Sequence, residues 1–189
     1  LFNAGQTCVA PDYVLAPKGS ERDLGEAIIN VAAHQFPDAS SDDAYTAIVS
    51  DRHYDRLNAM IEEARQGGAE ILQPEHDAQA AQAARKIPPT VVLNPPADAA
   101  VMTEEIFGPV LPMVGYSELD AAIDFVGDRD HPLALYVYST DKTQAQRVLD
   151  ETMSGGAAVN INLLHLSVPD LPFGGVGASG QGAYHGEAG

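Results

Sequence analysis

Residues 110–161 read VLPMVGYSELDAAIDFVGDRDHPLALYVYSTDKTQAQRVLDETMSGGAAVNI, and the way short apolar runs alternate with longer amphipathic ones there decides the fold class. Val110 to Tyr116, Leu133 to Ser139 and Ala157 to Ile161 are rich in β-branched, aromatic and aliphatic residues. Each run is too short for a helix and is bounded by Pro, Gly or Asp, so each reads as a buried strand. Between them, a stretch from Ser117 aligns Leu119, Ala122, Ile123 and Val126 and ends at Gly127. A second starts near Asp141, aligns Ala145, Val148 and Leu149 and ends at Gly155 and Gly156. Both carry helix start and stop signals. Strand, helix, strand, helix, strand with short connections predicts right-handed crossovers and a parallel sheet. The expectation is a three-layer α/β/α domain with a mostly parallel sheet.

The same pattern extends toward the N-terminus. One helix is predicted from Ser20 to before Pro37, with Leu24, Ala27, Ile28 and Val31 as its apolar stripe. Another follows Ser50 and Asp51, stacks Tyr54, Leu57, Ile61 and Ala64 on one face, and stops at Gly67 and Gly68. Tyr13 to Ala16, Ala69 to Leu72 and Thr90 to Leu93 read as further strands. Ala78 to Ala84 is nearly all Ala and Gln, which suits a helix by propensity but offers no large apolar face, so an exposed helical turn or a linker is expected. Nothing in this pattern divides residues 1–189, which read as one domain.

Composition narrows the function classes. The 27 acidic against 10 basic side chains leave a formal charge of −17, which repels phosphate backbones and anionic lipid, so neither nucleic acid nor a membrane is an expected partner. No apolar run approaches the roughly 20 residues of a membrane-crossing helix. The six histidines are scattered, with no H-x-x-x-H pair, so no metal site is expected. A G-x-S-x-G elbow and a G-x-x-x-x-G-K-[ST] loop are both absent, leaving serine hydrolase and nucleoside triphosphatase readings without support.

Three stretches differ from ordinary packing sequence. Phe2 to Cys8 holds the single cysteine after a Gly-containing turn. Such a thiol is either a small buried hydrophobe or, where its thiolate is stabilised, a nucleophile. Thr103 to Pro109 sets Glu104 and Glu105 before Phe107 and a Gly-Pro turn. Carboxylates at a sheet edge can accept hydrogen bonds from sugar hydroxyls and a nearby ring can pack on a planar ligand, although a solvated pair and a core Phe fit the same residues. Pro172 to Gly186 contains Gly175, Gly177 and Gly180 in G-x-G-x-x-G spacing. Prolines precede it and too little chain follows it for a dinucleotide fingerprint, so it reads as a glycine-dense loop passing close to protein or ligand.

Together, in this order and over essentially the whole chain, these segments resemble the signatures of the aldehyde dehydrogenase superfamily. Gly5-Gln6-Thr7-Cys8-Val9-Ala10-Pro11-Asp12-Tyr13 and Leu171-Pro172-Phe173-Gly174-Gly175-Val176-Gly177, closing on Tyr184-His185-Gly186, are similar to its class 3 branch, which includes fatty and aromatic aldehyde enzymes. The resemblance implies that Cys8 is the catalytic nucleophile and that its backbone N–H contributes to an oxyanion hole. It implies that Glu105 binds the nicotinamide ribose of NAD or NADP and that Phe107 packs near the nicotinamide. Asn3, with Gly5, would shape the turn that presents the thiol and border the substrate, and His185 would lie at the substrate mouth. The implied substrate is a small-molecule aldehyde, either aromatic, such as coniferyl aldehyde, or fatty.

The resemblance further implies a cytoplasmic, homo-oligomeric parent, such as a dimer. The family's cofactor-binding domain, oxyanion-hole asparagine and glutamate base would stand upstream of Leu1, and its dimer-forming tail after Gly189. Residues 1–189 alone are then not expected to oxidise aldehydes. A catalytically inactive interaction domain and a cofactor-free cysteine hydrolase are the alternatives.

Overall fold

The computed structural model describes residues 2–186, which divide between Ser117 and Glu118 into two compact units. The first runs β1 (Val14–Pro17), α1 (Glu21–Gln35), α2 (Asp51–Gln66), β2 (Glu70–Leu72), α3 (Ala78–Ala83), β3 (Thr90–Leu93), α4 (Ala100–Thr103) and β4 (Val110–Tyr116). Its sheet has the order β1-β4-β3-β2. β4 is parallel to both β1 and β3, and β2 is antiparallel to β3.

The unbroken apolar sequence of β3 follows from its place inside that sheet. All four of its residues are buried, and successive side chains point to opposite faces. Val92 joins Leu57, Met60, Ile61 and Ala64 of α2 in one core cluster. Val91 and Leu93 join Ile29 of α1, Ala16 of β1 and Met113 of β4 in another. A helix on each face of the sheet makes the expected three layers.

Helix α1 presents a face one residue away from the predicted stripe. Glu21, Gly25, Ile29 and Ala32 are buried, while Leu24 and Val31 are exposed. The cause is Gly25, where a Cβ would stand only 3.1–3.2 Å from Leu72, Leu93 and Val91. The helix lies so close to the sheet there that a side chain at position 25 would have to push those three residues aside by a few tenths of an ångström. At its start, the Glu21 carboxylate occupies the space above Gly115 of β4 and accepts a hydrogen bond from the Gly19 amide at 2.5 Å. Ser20 precedes the helix without capping it, its hydroxyl donating instead to the Pro17 carbonyl.

Other boundaries fall close to expectation. Ser50 caps α2, accepting from the His53 amide. The Ala/Gln stretch is a short helix, α3, because Asp77 accepts from the amides of Gln79 and Ala80 and Ala81 is buried.

The second unit runs α5 (Leu119–Gly127), β5 (Ala134–Val137), α6 (Lys142–Glu151) and β6 (Gly156–Val159), followed by 3₁₀ turns at Leu164–Ser167 and Gly177–Ser179. Here the single continuous sheet expected for residues 110–161 is corrected. β5 and β6 pair with each other, in parallel, as a sheet of their own. β4 already has β1 on one side and β3 on the other, so it has no free edge to offer β5. Helix α5 begins after Glu118 rather than Ser117, and α6, capped by Asp141, ends at Glu151, ahead of Gly155. Among the described residues no helix is long and apolar enough to cross a membrane.

Candidate active site

The cysteine lies in a loop whose backbone is fixed on both sides of it. Asn3, Ala4 and Gly5 all take left-handed conformations, with φ of 52°, 52° and 73°. For Ala4 this is costly, about 1–3 kcal/mol, and survives only where surrounding contacts enforce it. Gln6 supplies most of that enforcement. Its amide N–H donates to the Asn3 carbonyl at 3.1 Å, and its side chain donates to Asn3 and Ala47 carbonyls and accepts from the Val49 amide. Asn3 spends its own side-chain amide on the Gln6 carbonyl at 3.0 Å. Ala4 and Val9 are 1% exposed, so the loop is pinned before and after Cys8, which itself stands exposed.

Glu105 and Phe107 follow α4 in irregular backbone that the fold brings against this loop. A Cβ on Gly5 would sit 2.2 Å from the Gly108 carbonyl oxygen, so the two segments touch backbone to backbone. Gly108 is wedged in turn, since a Cβ there would meet Leu57 Cδ1 at 2.5 Å. A second link spans 94 residues of sequence: the Ile106 amide donates to the Asp12 carboxylate at 3.2 Å. Loss of water around that carboxylate raises its pKa above the ordinary 3.8, and Glu105 adds to the rise, while the Ile106 amide and Arg56 oppose it. Ile106 is buried, Phe107 half-buried with φ 51°, and Glu105 exposed.

Two residues that the sequence reading passed over complete this arrangement. Arg56 donates to the Glu105 carbonyl at 3.0 Å and to the Ile106 carbonyl at 2.5 Å. Its guanidinium also pairs with Glu104 at 3.7 Å. His53 Nε2 donates to the Phe107 carbonyl at 2.8 Å, and its Nδ1 accepts from Arg56 Nε at 3.3 Å. That pattern places the ring proton on Nε2. The His53 and Phe107 rings meet edge to face, with centroids 6.2 Å apart. One turn of α2 thus holds three consecutive carbonyls, and nothing in the sequence around 53–56 announced it.

The second unit holds the remaining expected site residue, His185, with φ 76°. Its ring lies 4.6 Å from Tyr184 and 6.3 Å from Phe173, centroid to centroid, and its Nδ1 is buried with no hydrogen-bond partner among the described residues. Phe173 and Tyr184 exchange backbone hydrogen bonds at 2.7 and 2.8 Å. Phe173 also faces His165, which faces Tyr136. His165 is buried with no hydrogen-bond partner for either ring nitrogen among the described residues, and burial lowers its pKa from the usual 6.5. The G-x-G-x-x-G stretch forms a single 3₁₀ turn in which the Val176 amide donates to the Ser179 hydroxyl at 2.9 Å.

The residues that could meet a dinucleotide are an exposed carboxylate, Glu105, and a half-buried ring, Phe107, on a segment fixed against the cysteine loop. An acceptor for ribose hydroxyls and a planar face for a heteroaromatic ring fit that group chemically. Among the described residues no three His, Cys, Asp or Glu side chains gather so as to hold a metal ion. A cleft of about 310 Å³ in the first unit is lined by Asn58, Arg65, His76 and Lys86 among others, and by none of the expected site residues.

Residues 1–189 match the sequence model of the aldehyde dehydrogenase family. A probable coniferyl aldehyde dehydrogenase of Caulobacter vibrioides is 46% identical over 187 residues, covering 98% of this chain and 39% of that protein. Among solved structures, the substrate-bound state of Staphylococcus aureus AldH superposes with a TM-score of 0.85 at 40% identity, over 98% of this chain and 39% of that one. Betaine aldehyde dehydrogenase from Staphylococcus aureus, in complex with NAD+, gives 0.83 at 27% identity over 99% and 38%. The chain therefore spans about two fifths of the length of the relatives it matches.

Proposed function

The chain belongs to the aldehyde dehydrogenase family, and from that premise we propose that residues 1–189 are the catalytic domain of a protein that oxidises an aldehyde to its carboxylic acid. The observation that carries the reading is the contact between the cysteine loop and the Glu105–Phe107 segment through Gly5 and Gly108. Nucleophile and cofactor-facing residues lie on touching backbones.

The Cys8 thiolate attacks the aldehyde carbon and forms a thiohemiacetal. The Cys8 backbone N–H donates to the oxyanion that develops. NAD or NADP, when bound, supplies the hydride acceptor, with Glu105 holding ribose hydroxyls and Phe107 flanking the nicotinamide. Oxidation of the thiohemiacetal leaves a thioester on Cys8, and water cleaves it, releasing the acid and restoring the thiol. Asn3 keeps the turn in shape through its bond to the Gln6 carbonyl and borders the substrate. His185, with Phe173 and Tyr184 as ring neighbours, borders the substrate mouth.

An aromatic aldehyde such as coniferyl aldehyde, or a fatty aldehyde, is the proposed substrate, supported by the identity to coniferyl aldehyde dehydrogenases. A dimeric, cytoplasmic parent rests on the family likeness alone. Activity is expected only in the complete protein, because the glutamate base and oxyanion-hole asparagine are assigned to no residue of 1–189.

The test follows reduced nicotinamide and acid formation by the complete protein with coniferyl aldehyde or a long-chain aliphatic aldehyde and NAD+ or NADP+. Cys8→Ala is expected to cut turnover at least about a thousandfold. Turnover unchanged in that variant would remove Cys8 as the nucleophile.

A further inference from the structure

We infer that Arg56 and His53 are positioning residues for cofactor binding: they lock the backbone of Glu105–Phe107 and so set where the Glu105 carboxylate and the Phe107 ring point. The inference rests on the proposed roles of Glu105 and Phe107. Its own support is a geometry that those roles do not require.

Residues 105–108 belong to no helix or strand, so no ladder of backbone hydrogen bonds holds them. Side chains do that instead. Arg56 takes the Glu105 and Ile106 carbonyls, His53 takes the Phe107 carbonyl, and Asp12 takes the Ile106 amide. Arg56 also fixes the tautomer of its partner, because its Nε–H donates to His53 Nδ1 and leaves Nε2–H free to donate to Phe107. Phe107 sits at φ 51°, a conformation a Phe takes only under restraint. The restraint is supplied at its own carbonyl.

The planar fork of Arg56 matters here. It reaches two adjacent carbonyls at once, which a lysine ammonium on a flexible stem does not reproduce. Two of its hydrogen bonds go to the carbonyls of Glu105, proposed to face the cofactor, and of the adjacent Ile106, and its carboxylate partner Glu104 adjoins them.

The experiment titrates NAD+ into the complete protein by calorimetry and measures KM and kcat with a saturating aldehyde. Wild type, Arg56→Ala, Arg56→Lys, His53→Phe and Glu105→Gln are compared. Arg56→Ala is expected to raise the Kd and KM for NAD+ about tenfold, the loss of one or two charge-assisted hydrogen bonds. Arg56→Lys recovers part of that loss, and His53→Phe, which keeps the ring contact with Phe107, costs about fivefold. Alkylation of Cys8 by iodoacetamide stays at the wild-type rate in all of them. If Arg56→Ala does not fold, Arg56→Lys carries the same reading.

Wild-type affinity for NAD+ in Arg56→Ala, or in a folded Arg56→Lys where the alanine variant is lost, overturns the inference while leaving the proposed function intact. Equal losses in NAD+ affinity, Cys8 alkylation and thermal midpoint overturn it as well, since they mark a merely structural role. Wild type that binds no NAD+ overturns the functional reading itself, and the inference with it.

Discussion

Residues 104–109 and 173–186 are both largely irregular backbone carrying expected site residues, Glu105 and Phe107 in the first and His185 in the second, yet they are held by different balances of contact. Beyond the backbone contact of Gly108 with Gly5, the first segment is tied by side chains that reach in from elsewhere: Arg56 and His53 from α2, and Asp12 from the loop before β1. The second is held by backbones that touch. A Cβ on Gly155 would stand 2.2 Å from the Gly174 carbonyl oxygen, one on Gly174 2.0 Å from that of Gly182, and one on Gly175 2.1 Å from that of Ser179. The rings of Phe173, Tyr184 and His185 pack on one another within the same segment. A polar clamp can be weakened one bond at a time. A glycine stack tolerates no side chain at all, because the obstacle is a carbonyl that cannot rotate away.

The largest expected effect tests that contrast directly. Gly174→Ala should destabilise the protein by about 3 kcal/mol, read as a shift in urea midpoint with unchanged slope. His53→Ala, which removes one bond of the clamp, should cost about 1 kcal/mol. Similar values for the two would dissolve the distinction.

A smaller effect separates the two regions by pH. The folded state raises the pKa of Asp12 above 3.8, so it holds that proton more tightly than the unfolded chain does. The resulting stabilisation is complete below 3.8 and is lost as pH rises through the raised value. His165 runs the other way. Its pKa is lowered from 6.5, so its contribution is present above 6.5 and is lost as pH falls through the lowered value. Asp12→Asn, which keeps an acceptor for the Ile106 amide, should therefore gain stability over wild type at neutral pH, and the gain should shrink in acid. His165→Phe should flatten the loss on the acidic side of neutrality. Hydrogen exchange resolved by peptide assigns each effect to its own unit, and the same sign in both would contradict the burial argument.

The smallest effect concerns Arg147, which pairs with Asp120 and Glu151, all of them largely solvent-exposed. Arg147→Gln should leave the thermal midpoint nearly unchanged at moderate salt, because water screens such pairs. A clear drop would show that α5 and α6 depend on that ion pair.

Much of this was legible in the residues. All six strands and four longer helices form close to the stretches expected, though several boundaries shift, since those signals are local. Two features of the fold were not. The stripe of α1 was misread because large apolar residues drew the eye to Leu24 and Val31, whereas Gly25 marks where the helix meets the sheet. The separation of β5 and β6 from β4 depends on which strands flank β4, a fact of topology that adjacent sequence does not carry. At the candidate site, the proposed roles of Cys8, Glu105 and Phe107 were suggested by the company they keep in sequence. His53, Arg56 and Asp12 did not, because each acts on backbone far along the chain and any helix surface might carry the same residues.

The pairing of Gly5 with Gly108 bears on how this chemistry could be transplanted. A cysteine loop copied alone into another scaffold would meet a different backbone where the Gly108 carbonyl now lies 2.2 Å from the place a Cβ at position 5 would take. The portable module is therefore two discontinuous peptides, residues 3–9 and 105–109, together with the turn of α2 whose His53 and Arg56 hold the second.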